Sequence, residues 1–251
     1  MLKTRTKLFY GVASWLLLPA ALYYGLKVRA RTPRQAPPAG PQSGVAGVAG
    51  KEAYRLLVIG DSSACGVGVE DVADSLAPQI AGFINSKSNA SASWRISGSN
   101  SATSGQIRDH VTPNLERRPY THIVLSLGTN DMKNFHTVSR FKKAFGGLLY
   151  ALHAKWPDAT LIWSPLIDMK TVPGFPAPLS AILQMRRELI NDMGVKLCNE
   201  RYATVAPLLE SSNPLGYSID GFHASAAGYG YWAELLADTI LALPGPAGHS
   251  T

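Results

Sequence analysis

From position 54 onward, short apolar runs alternate with longer stretches in which apolar residues recur at helical spacing. Leu56-Leu57-Val58-Ile59 is a continuous branched run, as expected of a strand buried on both faces. It stops at Gly60, so that Asp61 and Ser62 fall on a tight turn at the strand's carboxyl end. Asp71 or Asp74 is placed to cap a helix with Leu76, Ile80, Phe83 and Ile84 on one face. Positions 86–93 read as loop, 94–97 as a second strand, 98–105 as loop again and 107–111 as a short helix. A third strand is expected over 122–127, ending at Gly128-Thr129-Asn130-Asp131. Phe141, Phe145, Leu148 and Leu152 then mark a long helix. A fourth strand is predicted over 160–164, a helix over 179–193, a fifth strand over 202–207, and a last helix carrying Tyr229, Trp232, Leu236 and Ile240. The segment 165–180, rich in proline and apolar residues, is long for a structureless connection, and such segments are usually functional.

This alternation predicts an α/β domain with a five-stranded parallel sheet. Right-handed crossovers favour the flavodoxin-like order 2-1-3-4-5, a three-layer α/β/α sandwich. Ligands in such sheets sit outside the carboxyl ends of the strands, where strand order reverses. Ser62 and Asn130 would then face one crevice from neighbouring strand ends.

Ahead of this domain, residues 9–26 carry no charge, a length that just crosses a bilayer core as one helix. Tyr10, Tyr23 and Tyr24 lie near its ends, and Pro19 is expected to kink it. We therefore expect residues 1–31 to be a transmembrane anchor, a cleaved secretory signal being the alternative. The basic flanks are nearly balanced and leave its orientation open, although the extracytoplasmic side is favoured for the domain. Residues 32–53, rich in Pro, Gly and Ala, read as a flexible tether, 54–243 as the domain, and 244–251 as a disordered tail.

Charge changes the picture once it is located. The chain has 24 Lys and Arg against 17 Asp and Glu, but eight of the basic residues and no acid precede Glu52. The domain is thus near neutral, and no nucleic-acid partner is expected, because that would need a basic face on the folded part. The two cysteines, Cys65 and Cys198, supply neither a disulfide framework nor a zinc set, and the six histidines show no metal spacing. No metal or nucleotide cofactor is expected. Gly66-Val67-Gly68 lacks the third glycine of a dinucleotide fingerprint, and no Gly-x-Ser-x-Gly elbow is present.

Ser62 is a candidate nucleophile if a base and an oxyanion site exist for it. Asp220-Gly221-Phe222-His223 places an acid three residues ahead of an imidazole, close enough to hold its Nδ1 and leave Nε2 free for a serine proton. By itself such a pair is a weak signal, because most pairs at this spacing are surface turns. Asn130 offers a side-chain amide to a developing oxyanion, although taken alone the residue is more often an Asx-turn that closes the strand. Backbone N–H groups at Ser62 and in the 98–105 loop are further donors. Cys65 is a rival nucleophile with no matching signature.

Gly60-Asp61-Ser62, Gly128-Thr129-Asn130-Asp131 and Asp220-Gly221-Phe222-His223, in this order and spacing, resemble the blocks of the SGNH hydrolases, or GDSL esterase/lipase superfamily. The resemblance covers about 55–243, its closest likeness being to membrane-anchored bacterial members. It implies Ser62 as nucleophile, His223 as base and acid, Asp220 as its orienter, and Asn130 as oxyanion donor. The family's second block has a glycine N–H donor where this chain has Ser101, a donor that survives unless the position requires a positive φ. The expected activity is hydrolysis of a carboxylic ester, small or lipid. Removal or transfer of carbohydrate acetyl groups by the same residues is the alternative, and a non-catalytic binding module the more distant one.

Overall fold

A computed structural model describes residues 2–210 and 213–244. Its sheet has six strands: β1 (Ser43–Ala46), β2 (Glu52–Gly60), β3 (Ser91–Gly98), β4 (His122–Ser126), β5 (Thr160–Trp163) and β6 (Thr204–Val205). The helices are α1 (Thr4–Leu16), α2 (Leu18–Arg31), α3 (Leu76–Ser88), the short α4 (Ser104–Gln106), α5 (Thr129–Lys133), α6 (Val138–Lys155), α7 (Ala177–Glu200) and α8 (Ala226–Ala242).

The strand order is β1-β3-β2-β4-β5-β6. Every pairing is parallel except that of β1 with β3. Without β1 this is the expected 2-1-3-4-5, so the three-layer α/β/α sandwich stands and the strand count is corrected from five to six. The sixth strand comes from the supposed tether. Ser43–Ala46 lies antiparallel on β3, and the Gln42 carbonyl accepts from Ile96 N–H at 2.8 Å, which covers an otherwise open sheet edge. Residues 32–53 are therefore partly laid against the domain. The expected loop over 86–93 is also shorter, because α3 runs to Ser88, Asn89 caps it in the left-handed region (φ 57°), and β3 begins at Ser91. The expected tail beyond residue 244 lies outside the described residues.

Alternate residues of the central strand feed two cores. Leu57 and Ile59 pack with Phe141, Phe145, Leu148 and Ile190 of α6 and α7. Leu56 and Val58 pack with Ile80 and Ile84 of α3 and with Tyr229 and Leu236 of α8. The central strand is thus buried on both sides from Leu56 to Gly60, which is why it reads as an unbroken apolar run rather than an alternating one.

The single helix expected over 9–26 is broken. α1 and α2 meet at Leu17 with a 63° bend, and Pro19 falls in the first turn of α2, where a missing N–H costs nothing. Among the described residues no single helix is long and apolar enough to cross a membrane, although the bent pair meets that test jointly. Both helices pack on α7: Ala21 enters the core, and Lys7 pairs with Asp192 at 2.6 Å.

Candidate active site

β2 ends where it does for a steric reason. Gly60 is in register with Ser126 of β4, and a Cβ on it would stand 1.8 Å from the Ser126 carbonyl oxygen. The chain then turns tightly: Asp61 Oδ1 accepts from the backbone N–H (3.2 Å) and hydroxyl (2.8 Å) of Ser63, and Val67 N–H donates to the Ser62 carbonyl at 3.0 Å. This turn lifts Ser62 to the carboxyl edge of the sheet. Its backbone N–H has no hydrogen-bond partner among the described residues.

The stretch 217–225 delivers the other groups. His223 Nε2 lies 3.0 Å from Ser62 Oγ, and His223 Nδ1 lies 2.6 Å from Asp220 Oδ2. The other oxygen of Asp220 accepts from Ser218 Oγ (2.9 Å), Phe222 N–H (2.8 Å) and His223 N–H (2.9 Å). Burial alone would raise the Asp220 carboxyl; hydrogen bonds from the His223 side chain and from the His223 and Phe222 backbones outweigh it and hold it well below the ordinary carboxylate range. The ring is thereby fixed with Nδ1–H toward the acid and Nε2 toward the serine. Gly68 makes this meeting possible. At φ 112° a Cβ there would lie 2.2 Å from the Ala224 carbonyl and 3.1 Å from His223 Cβ. Tyr229 of α8 ties the turn down, its hydroxyl donating to the Val67 carbonyl at 2.8 Å.

Asn130 is buried at the start of α5, on the neighbouring strand end as expected. Its Nδ2 donates to Asp61 Oδ2 (3.1 Å) and to the Ala102 carbonyl (3.0 Å). Next to it, Asp131 clamps the 98–106 segment by accepting from Ser104 N–H and Oγ, both at 2.8 Å, and meets His136 Nδ1 at 3.1 Å. Ser101 stands apart. It is exposed, with φ 64°, and it is not among the residues that line the crevice. Cys65 points away from catalysis: burial first, and the Asp61 charge second, push its thiol up to about 11.

The crevice at Ser62, with a cavity volume of about 120 Å³, is walled mainly by apolar side chains, among them Leu166, Ile167, Met169 and Trp232. Three of these come from the segment after β5 that the sequence marks as functional. Lys133, which the sequence reading passed over, also lines it. Its ammonium lies 4.5 Å from the centre of the Phe222 ring, and that ring is edge-on to His223 at 4.9 Å. Burial lowers the Lys133 pKa against the pull of Asp61 and Asp220. Helical spacing from Asn130 puts position 133 on the same side of α5, and that was the available signal.

The pattern of the GDSL-like Lipase/Acylhydrolase family matches residues 58–231, well over half of the chain. The chain belongs to this family. As a GDSL-type acylhydrolase it is a hydrolase of ester bonds. Solved structures share the fold of this GDSL hydrolase at low identity. TesA is 14% identical with a TM-score of 0.59, covering 74% of this chain and 98% of its own. Est24, a carbohydrate acetylesterase from Sinorhizobium meliloti, is 14% identical with a TM-score of 0.56, covering 76% and 100%. Phospholipase A1 from Streptomyces albidoflavus NA297 is 13% identical with a TM-score of 0.54, covering 74% and 98%. No curated protein sequence matches the GDSL hydrolase described here.

Proposed function

We propose that this GDSL hydrolase is a serine esterase working through an acyl-enzyme on Ser62, and that it acts on acyl esters close to a membrane. The observation that carries the reading is the unbroken relay from Asp220 through His223 to Ser62, with both heavy-atom distances at hydrogen-bond length. Ser62 Oγ attacks the ester carbonyl while His223 Nε2 takes its proton. Asp220 stabilises the imidazolium that forms. The carbonyl π pair moves onto oxygen, where the Ser62 N–H and the Asn130 amide are the donors at hand. Collapse expels the alcohol, which takes the proton from His223. Water, deprotonated by the same ring, then cleaves the acyl-enzyme and returns the hydroxyl to Ser62.

The apolar walls from Leu166, Ile167 and Met169 favour an acyl chain over a sugar in this crevice. The N-terminal helix pair, uncharged between Lys7 and Lys27, supports residence at a membrane. Labelling with a fluorophosphonate is expected in the wild type and not in Ser62→Ala. Labelling that persists in the variant would remove Ser62 from this role. A panel of short, long and sugar-linked acyl esters, with and without micelles, tests the substrate class: the lipid reading fails if sugar acetates are the preferred substrates.

A further inference from the structure

The helix pair α1–α2 turns most of its large apolar side chains away from the domain. Its inner face, against α7, buries only Ser14 and Ala21 fully, with Ala20, Tyr24 and Val28 partly buried against the same core. Its outer face carries Leu8, Phe9, Val12, Leu16, Leu17, Leu22, Tyr23 and Leu26, with Leu8, Phe9, Leu16 and Leu26 each more than 60% exposed. A surface helix ordinarily shows the reverse, and a contiguous apolar surface of this size marks an interaction site. No charged residue interrupts it between Lys7 and Lys27. Its two ends are purely basic, with Lys3, Arg5 and Lys7 at one and Lys27, Arg29 and Arg31 at the other.

The inner face ties the pair to the domain through specific contacts. Asp192 of α7 receives Lys7 Nζ at 2.6 Å and the Leu2 N–H at 2.6 Å. Arg186, 2% exposed, has its guanidinium 5.8 Å from the Trp15 ring and 5.0 Å from the Phe135 ring, two rings that also meet edge-on at 5.9 Å. Withdrawing α1 would uncover a buried arginine and leave Asp192 without its cation. Each helix is only about 20 Å long, short of the roughly 30 Å of a hydrocarbon core, and the two diverge by 63°. One side of both is occupied by protein, so lipid has access only to the other.

From these observations we propose that the outer face of α1–α2 lies in the plane of a single leaflet of an anionic lipid bilayer. The apolar side chains sit at the headgroup–acyl boundary and the two basic ends rest on lipid phosphates. The chain does not cross the bilayer. This deepens the membrane part of the proposed function and is independent of the esterase part.

The test uses the full chain and phosphatidylcholine vesicles with or without about a quarter phosphatidylglycerol. Co-sedimentation is expected with the anionic vesicles, weaker by about tenfold with neutral ones or at high salt. It should fall by about tenfold or more for the combined Leu8→Ser, Phe9→Ser, Leu16→Ser and Leu22→Ser variant. That variant keeps turnover of a short soluble ester, because none of the four side chains lines the crevice. Orientation is read from single cysteines, Thr4→Cys and Ala30→Cys, in a Cys65→Ala, Cys198→Ala background, with an impermeant maleimide on sealed vesicles. Labelling of both from outside, before detergent, is the expected result. Protection of one end until detergent is added would show a span and overturn the proposal. Absence of vesicle binding, or binding indifferent to the four substitutions, would overturn it equally. Loss of ester turnover with intact vesicle binding would fault the esterase reading instead.

Discussion

Asn130 Nδ2 stands 3.1 Å from Asp61 Oδ2, so the residue before Ser62, the proposed nucleophile, holds the amide of the neighbouring strand end. The second amide hydrogen goes to the Ala102 carbonyl at 3.0 Å. The side chain is therefore oriented before substrate arrives, and donating to an oxyanion requires only that one of these bonds be shared. Burial raises the Asp61 carboxyl, opposed by Ser63 and by the charges of Lys133 and His223. Asn130→Ala is expected to lower kcat by about 10²–10³-fold with little change in KM, as for a lost oxyanion donor. A kcat within a few-fold of wild type, measured on a short ester, would assign Asn130 to the turn alone.

In the proposed mechanism Asp220 acts on His223 through charge as well as position. Asp220→Asn keeps the shape and removes the charge, and kcat is expected to drop by about 10²–10⁴-fold. The same carboxyl is held below its unfolded value, so its contribution to stability is complete above about pH 4 and is lost as pH falls toward the folded pKa. Asp220→Asn should therefore show a shallower loss of thermal stability below about pH 4 than wild type. Parallel acid profiles would show that the carboxyl is no better stabilised folded than unfolded.

Much of this was legible because burial on both faces writes itself into a strand as an unbroken apolar run, and glycine marks where the run must stop. Leu56–Ile59 and Gly60 carried that information locally, and so did the spacing of Asp220 and His223. What stayed hidden depends on contacts distant in sequence. Ser43–Ala46 has no strand signature of its own; it pairs because β3 offers an open edge. The uncharged segment 9–26 matches a spanning helix in composition, and only its packing on α7 reveals the break at Leu17. Lys133 sits in the crevice through helical phase rather than through any motif.

Ser101 holds a left-handed φ of 64°, the condition under which the serine is strained where glycine would not be. Ser101→Gly relieves that strain at some cost in unfolded-chain entropy, for a net gain of about 0.5–1 kcal/mol. Urea denaturation would read the change. A destabilised variant would mean that the serine hydroxyl, which donates to Asn100 Oδ1 at 3.3 Å, contributes more than the backbone loses.

Gly68→Ala addresses the close approach between the turn after Ser62 and the His223 stretch. The added methyl meets the Ala224 carbonyl at 2.2 Å, so the His223 stretch must move away from Ser62. A loss of about 10²-fold in kcat is expected, because sub-ångström misplacement of a base is expensive. Binding of a competitive ester analogue should change far less. Equal losses in both would indicate collapse of the crevice rather than displacement of the base.

His122 provides a pH test separate from catalysis. It is buried at the start of β4, with Nδ1 2.9 Å from Thr121 Oγ1 and its ring 5.7 Å from that of Tyr54, and burial lowers its pKa to about 4. Both states are neutral above about pH 6.5, so the residue contributes no pH dependence there. As pH falls below that value the unfolded chain takes up a proton that the folded chain refuses, and stability declines until about pH 4, where the folded state is protonated too. The full loss is on the order of 3 kcal/mol. Urea midpoints for wild type and His122→Gln between about pH 7.5 and 4.5 should converge as the pH is lowered, wild type losing stability faster. A constant offset across that range would mean that the imidazole is protonated as readily in the fold as in water.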